Sequence, residues 1–260
     1  EAGTKTINMK AHDAGLKGTL TDNGDGTATF VMDTLNAGDK VSIGGKSYTI
    51  GSDDAEVEKW FTDNATDVAD TAGKKVTVNG TEYTYVGATG ATGTAGAITA
   101  GWYAKTPTAP TDTAASTTPD FADLDAIKTA VKKGATAQNG TKSVTGMNDT
   151  ATPKDGVSDT DATVISKKKA YDLASKELLK ANQIGDTENS AKVGVGTAAT
   201  PVSLTNGTGT FQIQTGSAKV ANSLAFSLHV GADADMTNKI QVNIDAMDSA
   251  SLGIKGLNVK

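Results

Sequence analysis

A chain of 260 residues with a net charge of −6, no cysteine and only 5% aromatic residues excludes disulfides, thiolate chemistry and Cys-ligated zinc or iron–sulfur sites. It also has no basic stripe for neutralising nucleic-acid phosphates. Its 37% apolar fraction is rich in alanine, so thin, elongated domains are expected rather than one thick core, and no stretch approaches the ~18 apolar residues of a membrane span.

Residues 1–104 read as β. The stretches TINMKA, GTATFVM, DKVSIGGKSYTI and KKVTVNGTEYTYV alternate apolar and polar side chains, the period of a half-buried strand. Two of them, Lys40 to Thr49 and Lys75 to Thr84, share a strand–turn–strand pattern, with Gly44-Gly45 and Asn79-Gly80 as two-residue turns. Between them, SDDAEVEKWFTDNA predicts a short helix, with Ser52 or Asp53 as its cap and Val57, Trp60 and Phe61 on one side.

Glycine recurs from Gly87 to Gly101 without the proline that collagen needs, so that segment reads as a surface loop. Residues 105–119 form a Pro/Thr-rich linker with three of the five prolines. In the insert at 120–190, Phe121, Leu124, Ile127 and Val131 share one helical face that ends in lysines and glycine. A polar stretch follows to about residue 158. A second helix is expected from cap candidates Ser158 to Asp161 through Val164, Tyr171, Ala174 and Leu178 to near Gly185. Residues 191–260 return to β, with Asn206-Gly207 as a turn and SLAFSLHVGA and NKIQVNID as strands. The expected fold class is α+β, mainly β: antiparallel hairpins in sandwich-like domains, with about two helices in the insert.

Each motif that could carry chemistry reads as a turn or a solvated surface. GGKS at Gly44 to Ser47 has Lys40 where a phosphate loop needs its first glycine, and strand-like residues where a helix must begin. GVGTAA from Gly194 is followed by Pro201, which leaves no room for a helix. TDNGDGTATF would place Thr21 and Met32 at two calcium-ligand positions that need anionic groups. Asp233 to Asn238 offers too few ligands, and Asp53 and Asp54 are adjacent in sequence rather than a facing acidic pair. Lys167, Lys168 and Lys169 point around a helix, so they are a solvated surface. His12 and His229, the two histidines, lie in no metalloprotease or nucleophile motif, and His12 is followed by Asp13. No catalytic, cofactor-binding or metal residue is assigned, and no cofactor is expected.

The closing stretch is more specific. Val230, Gly231 and Ala232 end a strand; Ile240 to Ile244, Asp245 and Met247 follow, then Ser249, Leu252, Gly253, Ile254, Gly256, Leu257, Asn258 and Val259. In residues, spacing and order this segment resembles the junction of bacterial flagellin, where the surface domains rejoin the inner rod. The resemblance covers some 30 residues, and the Thr, Ala, Gly and Asn richness elsewhere is similar to flagellin's variable outer region.

The resemblance implies an extracellular structural protein of the motility filament, not an enzyme. Its partners would be other flagellin subunits, engaged through terminal helices that this stretch lacks, with host immune recognition or surface glycans at the exterior and neither nucleic acid nor membrane. Both ends are expected to be cut from a longer chain, so the fragment by itself is expected to be monomeric. In some flagellins the matched hairpin precedes the variable region; here it comes last. The alternative class is a Cys-free, Thr-rich module of a bacterial adhesin or pilin, in which a Lys–Asn cross-link would lower the mass by one ammonia.

Overall fold

A computed structural model describes residues 2–6, 16–197, 199–229 and 239–246. In chain order the strands and helices are β1 (Ala2–Thr6), β2 (Gly18–Asp22), β3 (Thr27–Met32), β4 (Lys40–Ile43), β5 (Lys46–Ile50), α1 (Asp54–Asp63), β6 (Lys75–Val78), β7 (Thr81–Val86), β8 (Ala97–Ile98), β9 (Gly101–Tyr103), β10 (Ser116–Thr117), α2 (Leu124–Lys132), β11 (Thr136–Asn139), β12 (Lys142–Thr145), β13 (Val164–Ile165), α3 (Lys167–Asn182), β14 (Lys192–Gly194), β15 (Thr210–Gln214), β16 (Ser217–His229) and β17 (Lys239–Ala246). The fold is α+β and mainly β, as the alternation in the sequence implies. The chain forms two compact units, one of residues 1–33, 175–201 and 209–260, the other of residues 34–174 and 202–208.

In the first unit, β14, β15, β3 and β2 form a four-stranded antiparallel sheet in that order. Its inward positions are filled by Ala28, Phe30, Phe211 and Ile213, all almost fully buried. Phe30 and Phe211 are register partners whose rings stack with centroids 6.2 Å apart. Such cross-strand aromatic pairs are the unit of sheet stabilisation. A second sheet runs β1-β16-β17, with Ala2 opposite Ala221 and His229 opposite Lys239, and a register shift between Ala221 and Leu224. The predicted strand TINMKA reaches the described residues only at Thr6, and residues 7–11 lie outside them.

The second unit contains three two-stranded hairpins, and α1 directly follows the first. Both expected hairpins form: β4 pairs with β5 and β6 with β7, with Ile43 opposite Lys46 and Val78 opposite Thr81. Their two-residue turns carry positive φ at both positions, 60° and 77° at Gly44-Gly45 and 49° and 81° at Asn79-Gly80. These turns match the right-handed twist of the flanking strands. A third hairpin, β11 with β12, occupies part of the stretch expected to be merely polar. It turns on Gly140, whose φ of 62° suits the first position of a two-residue loop.

The five-stranded sheet runs β12-β11-β6-β7-β9, and α1 and α2 pack against each other and against β12. Val57 and Phe61 of α1, Ile127 and Val131 of α2, Val76, Val78, Trp102, Ala137 and Val144 of the sheet, and Val68 form one buried cluster. Both helices start on aspartate. Asp53 Oδ1 accepts the Glu56 N–H at 2.9 Å and Asp123 Oδ1 the Ala126 N–H at 2.8 Å, which satisfies otherwise orphaned first-turn donors.

Residues 105–119 lie within the second unit. Gly96 donates to the Pro110 carbonyl and Ala97 to the Ala115 carbonyl, and β10 pairs with β8 in parallel. The third helix begins later than its predicted caps. Val164 and Ile165 pair in parallel with Thr49 and Ile50, which commits their backbone to a sheet. Ser166 then caps α3, its Oγ accepting the Lys169 N–H at 3.1 Å. Residues 167–174 of this helix belong to the second unit and 175–182 to the first.

Glu58 on α1 joins the two sheet-packed helices electrostatically, accepting from Lys132 at 2.6 Å and Lys128 at 2.9 Å. These hydrogen bonds, Lys132's first, hold its carboxyl below the usual glutamate range. Because the native value is depressed, the contribution is present above the unfolded value near ~4.3 and is lost as pH falls through the native value. The Glu58 side chain is 43% exposed, so solvent screening limits the effect. Glu58→Gln is expected to cost about 0.5–1 kcal/mol at neutral pH. Urea midpoints of the two proteins should converge once both are titrated well into acid.

Candidate functional site

A cleft of about 730 Å³ lies in the second unit. Its first wall is the end of β5, where Gly51 and Ser52 lead into the α1 cap. Its second is the extension of β12, where Gly146 bridges in parallel to Ser52 and the Met147 N–H donates to the Ser52 carbonyl at 3.0 Å. A Cβ at Gly51 would lie 2.7 Å from Met147 Cβ, so this approach requires glycine. The third wall carries Ser158, Thr160, Asp161 and Val164, and the α2 terminus adds Lys133 and Gly134.

Asn148 turns the second wall into the third. Its φ is 58°, a left-handed conformation that asparagine tolerates better than most residues. Its N–H donates to the Lys132 carbonyl at 3.1 Å, and its own carbonyl accepts from Asp159 at 2.8 Å. The next residue, Asp149, is only 7% exposed. Its Oδ2 accepts the Gly156 N–H at 2.9 Å, whereas Oδ1 is buried without a partner. Burial, the largest influence, pushes the Asp149 carboxyl above the usual aspartate range, with Asp155 and Asp159 adding repulsion. Lys154 donates to the Asp149 carbonyl at 2.6 Å and to Asp54 Oδ2 at 2.7 Å. The bond it donates to Asp54 raises its ammonium above the usual lysine value.

The residues singled out in the sequence fall elsewhere. Gly44-Gly45 is a hairpin turn from which Lys46 and Ser47 open β5, and the segment from Gly194 ends β14 and closes on a bridge between Val195 and Thr200. Thr21 to Phe30 is the β2–β3 hairpin. There Asp25 Oδ1 accepts both the N–H and the hydroxyl of Thr27, and Asp22 Oδ1 accepts the Gly24 N–H. Those carboxylates are used within the turn. Among the described residues no group of three or more His, Asp or Glu side chains could hold a metal ion. Asp53 caps α1 and Asp54 pairs with Lys154. Lys167 lies 4.0 Å from Glu56, and Lys169 lies 3.9 Å from Asp172. His229 ends β16, while His12, Asp233 to Asn238 and residues 247–259 lie outside the described residues.

Ser52, Ser158, Thr160 and Asp161 entered the sequence reading as helix caps, and the structure brings all four to one cleft. Asn148 carried no sequence signal. It is a lone amide in a polar loop, and only the tertiary path of β12 gives it a role.

Comparison of the chain with protein-family models, curated proteins and solved structures finds no match. No helix among the described residues is long and apolar enough to cross a membrane.

Proposed function

We propose that this chain is the central, surface-exposed region of a bacterial flagellin, an extracellular structural part of the motility filament that acts without catalysis. The reading starts from the resemblance of residues 230–259 to the flagellin junction. The observation that carries it further is a sheet: β1 pairs with β16, and β16 pairs with β17 inside the resembling segment. A region that loops out of a filament core and returns to it must bring its outgoing and incoming strands together. Here Ala2 to Thr6 lies antiparallel to Ser217 to Ala221, with some 200 residues between them.

In this role the sheet fixes how the surface region leaves the rod, and the exposed Thr-rich loops form the antigenic exterior. Subunit contacts run through terminal helices beyond these residues. Mass spectrometry of filaments sheared from the source bacterium tests the reading. Tryptic peptides such as residues 106–128 should appear in stoichiometric amount with the filament protein. Their recovery only from a pilus or cell-wall fraction would overturn it.

A further inference from the structure

We propose that the cleft of the second unit is a binding site for a neutral saccharide. Its size comes first: about 730 Å³ lies within the ~300–1,000 Å³ typical of small-molecule sites, and it has room for one or two pyranose rings.

Its unmet hydrogen-bonding capacity comes second. Ser52 is only 6% exposed and lines the cleft, and its hydroxyl has no hydrogen-bond partner among the described residues. Ser158 is 9% exposed, and its Oγ makes only contacts of 3.4 Å, to the hydroxyl and the N–H of Thr160. The Asn148 amide reaches Thr160 Oγ1 at 3.4 Å. Good hydrogen bonds to hydroxyl oxygens are several tenths of an ångström shorter, so these groups keep capacity for a further partner at the cleft. Four polar side chains on three separate segments therefore present donors and acceptors to the same open space.

The remaining chemistry selects the class of ligand. Val164, half-buried at the cleft, supplies apolar surface against which the C–H face of a sugar ring can pack, with the more deeply set Met147 beside it. Lys133 and Asp161 contribute one charge of each sign, so the cleft has no net preference for an anion or a cation. Hydroxyl and amide groups around an apolar floor without net charge match a polyhydroxylated neutral ring. The inference is independent of the filament reading, and either can fail without the other.

Saturation-transfer NMR on the chain with a panel of glucose, galactose, mannose and N-acetylglucosamine tests it. Saturation should pass to the ring protons of at least one of them. Asn148→Gly keeps the left-handed backbone but removes the amide, and Ser52→Ala removes a hydroxyl that holds nothing in the fold. Each should weaken transfer several-fold while leaving the circular dichroism spectrum and melting temperature unchanged. Absence of transfer with the folded parent, or undiminished transfer in both variants, would overturn the proposal.

Discussion

Trp102→Ala is expected to cost about 3–5 kcal/mol, the largest single-residue effect among those argued for this chain. Trp102 is fully buried in the centre of the second unit's core cluster. Its ring meets Tyr85 edge-on at 5.5 Å, and its Nε1 donates to Asp70 Oδ1 at 2.8 Å. The other oxygen of Asp70 accepts the Leu124 N–H at 3.2 Å, so the indole ties β9 to the start of α2. Truncation therefore removes packing, leaves a cavity and releases the carboxylate that holds a helix end. Trp102→Phe separates these effects, since it keeps most of the packing and forfeits the N–H bond. It should cost about 1–2 kcal/mol. Trp60 borders the same cluster and remains as a fluorescent reporter of denaturant unfolding in both variants. A midpoint shift equivalent to less than about 1 kcal/mol for the alanine variant would contradict this assignment of the core.

Gly146→Val is expected to cost about 3 kcal/mol or more by a different mechanism. A Cβ at this position would sit 2.0 Å from the Val131 carbonyl oxygen and 2.8 Å from Lys132 Cα. Both are backbone atoms of the last turn of α2, and the same carbonyl accepts the Gly134 N–H at 2.9 Å. A clash with backbone cannot be relieved by a rotamer change, so the strand extension must part from the helix. Gly140→Ala is the control. Nothing lies within 4 Å of its would-be Cβ, but its φ of 62° makes the substitution cost about 1 kcal/mol through strain alone. Thermal melts should rank the parent, Gly140→Ala and Gly146→Val in that order of decreasing stability, and a reversed order would contradict the close approach at Gly146.

Which elements were legible from sequence follows from how local their causes are. The turns at Gly44-Gly45 and Asn79-Gly80 need positive φ, a demand that two residues satisfy by themselves, and both hairpins appear in the expected register. The α1 and α2 faces were legible because Val57, Phe61, Ile127 and Val131 repeat with the helical period and are buried. The third hairpin had a weaker signal, the single turn glycine Gly140. Its strands, TAQN and KSVT, are too polar for alternation to stand out. They gain their place by pairing Ala137 and Gln138 with Val78 and Thr77.

The late start of α3 was not local at all. Val164 fits a helical face, but a parallel pairing with β5, more than a hundred residues earlier in the chain, takes it into a sheet. The cleft is non-local for the same reason, since its walls come from β5, from beyond β12 and from the loop before β13. Residue types alone distinguished Ser52 and Ser158 only as caps. Tertiary assembly makes them neighbours with hydroxyls left to bond.

The central claim, that the chain forms part of a flagellar filament's outer surface, is tested most directly by immunoelectron microscopy of the intact source bacterium. Antibodies raised against residues 1–260 should decorate flagella evenly along their length. Labelling confined to the cell wall or to fimbriae, with bare flagella, would contradict it.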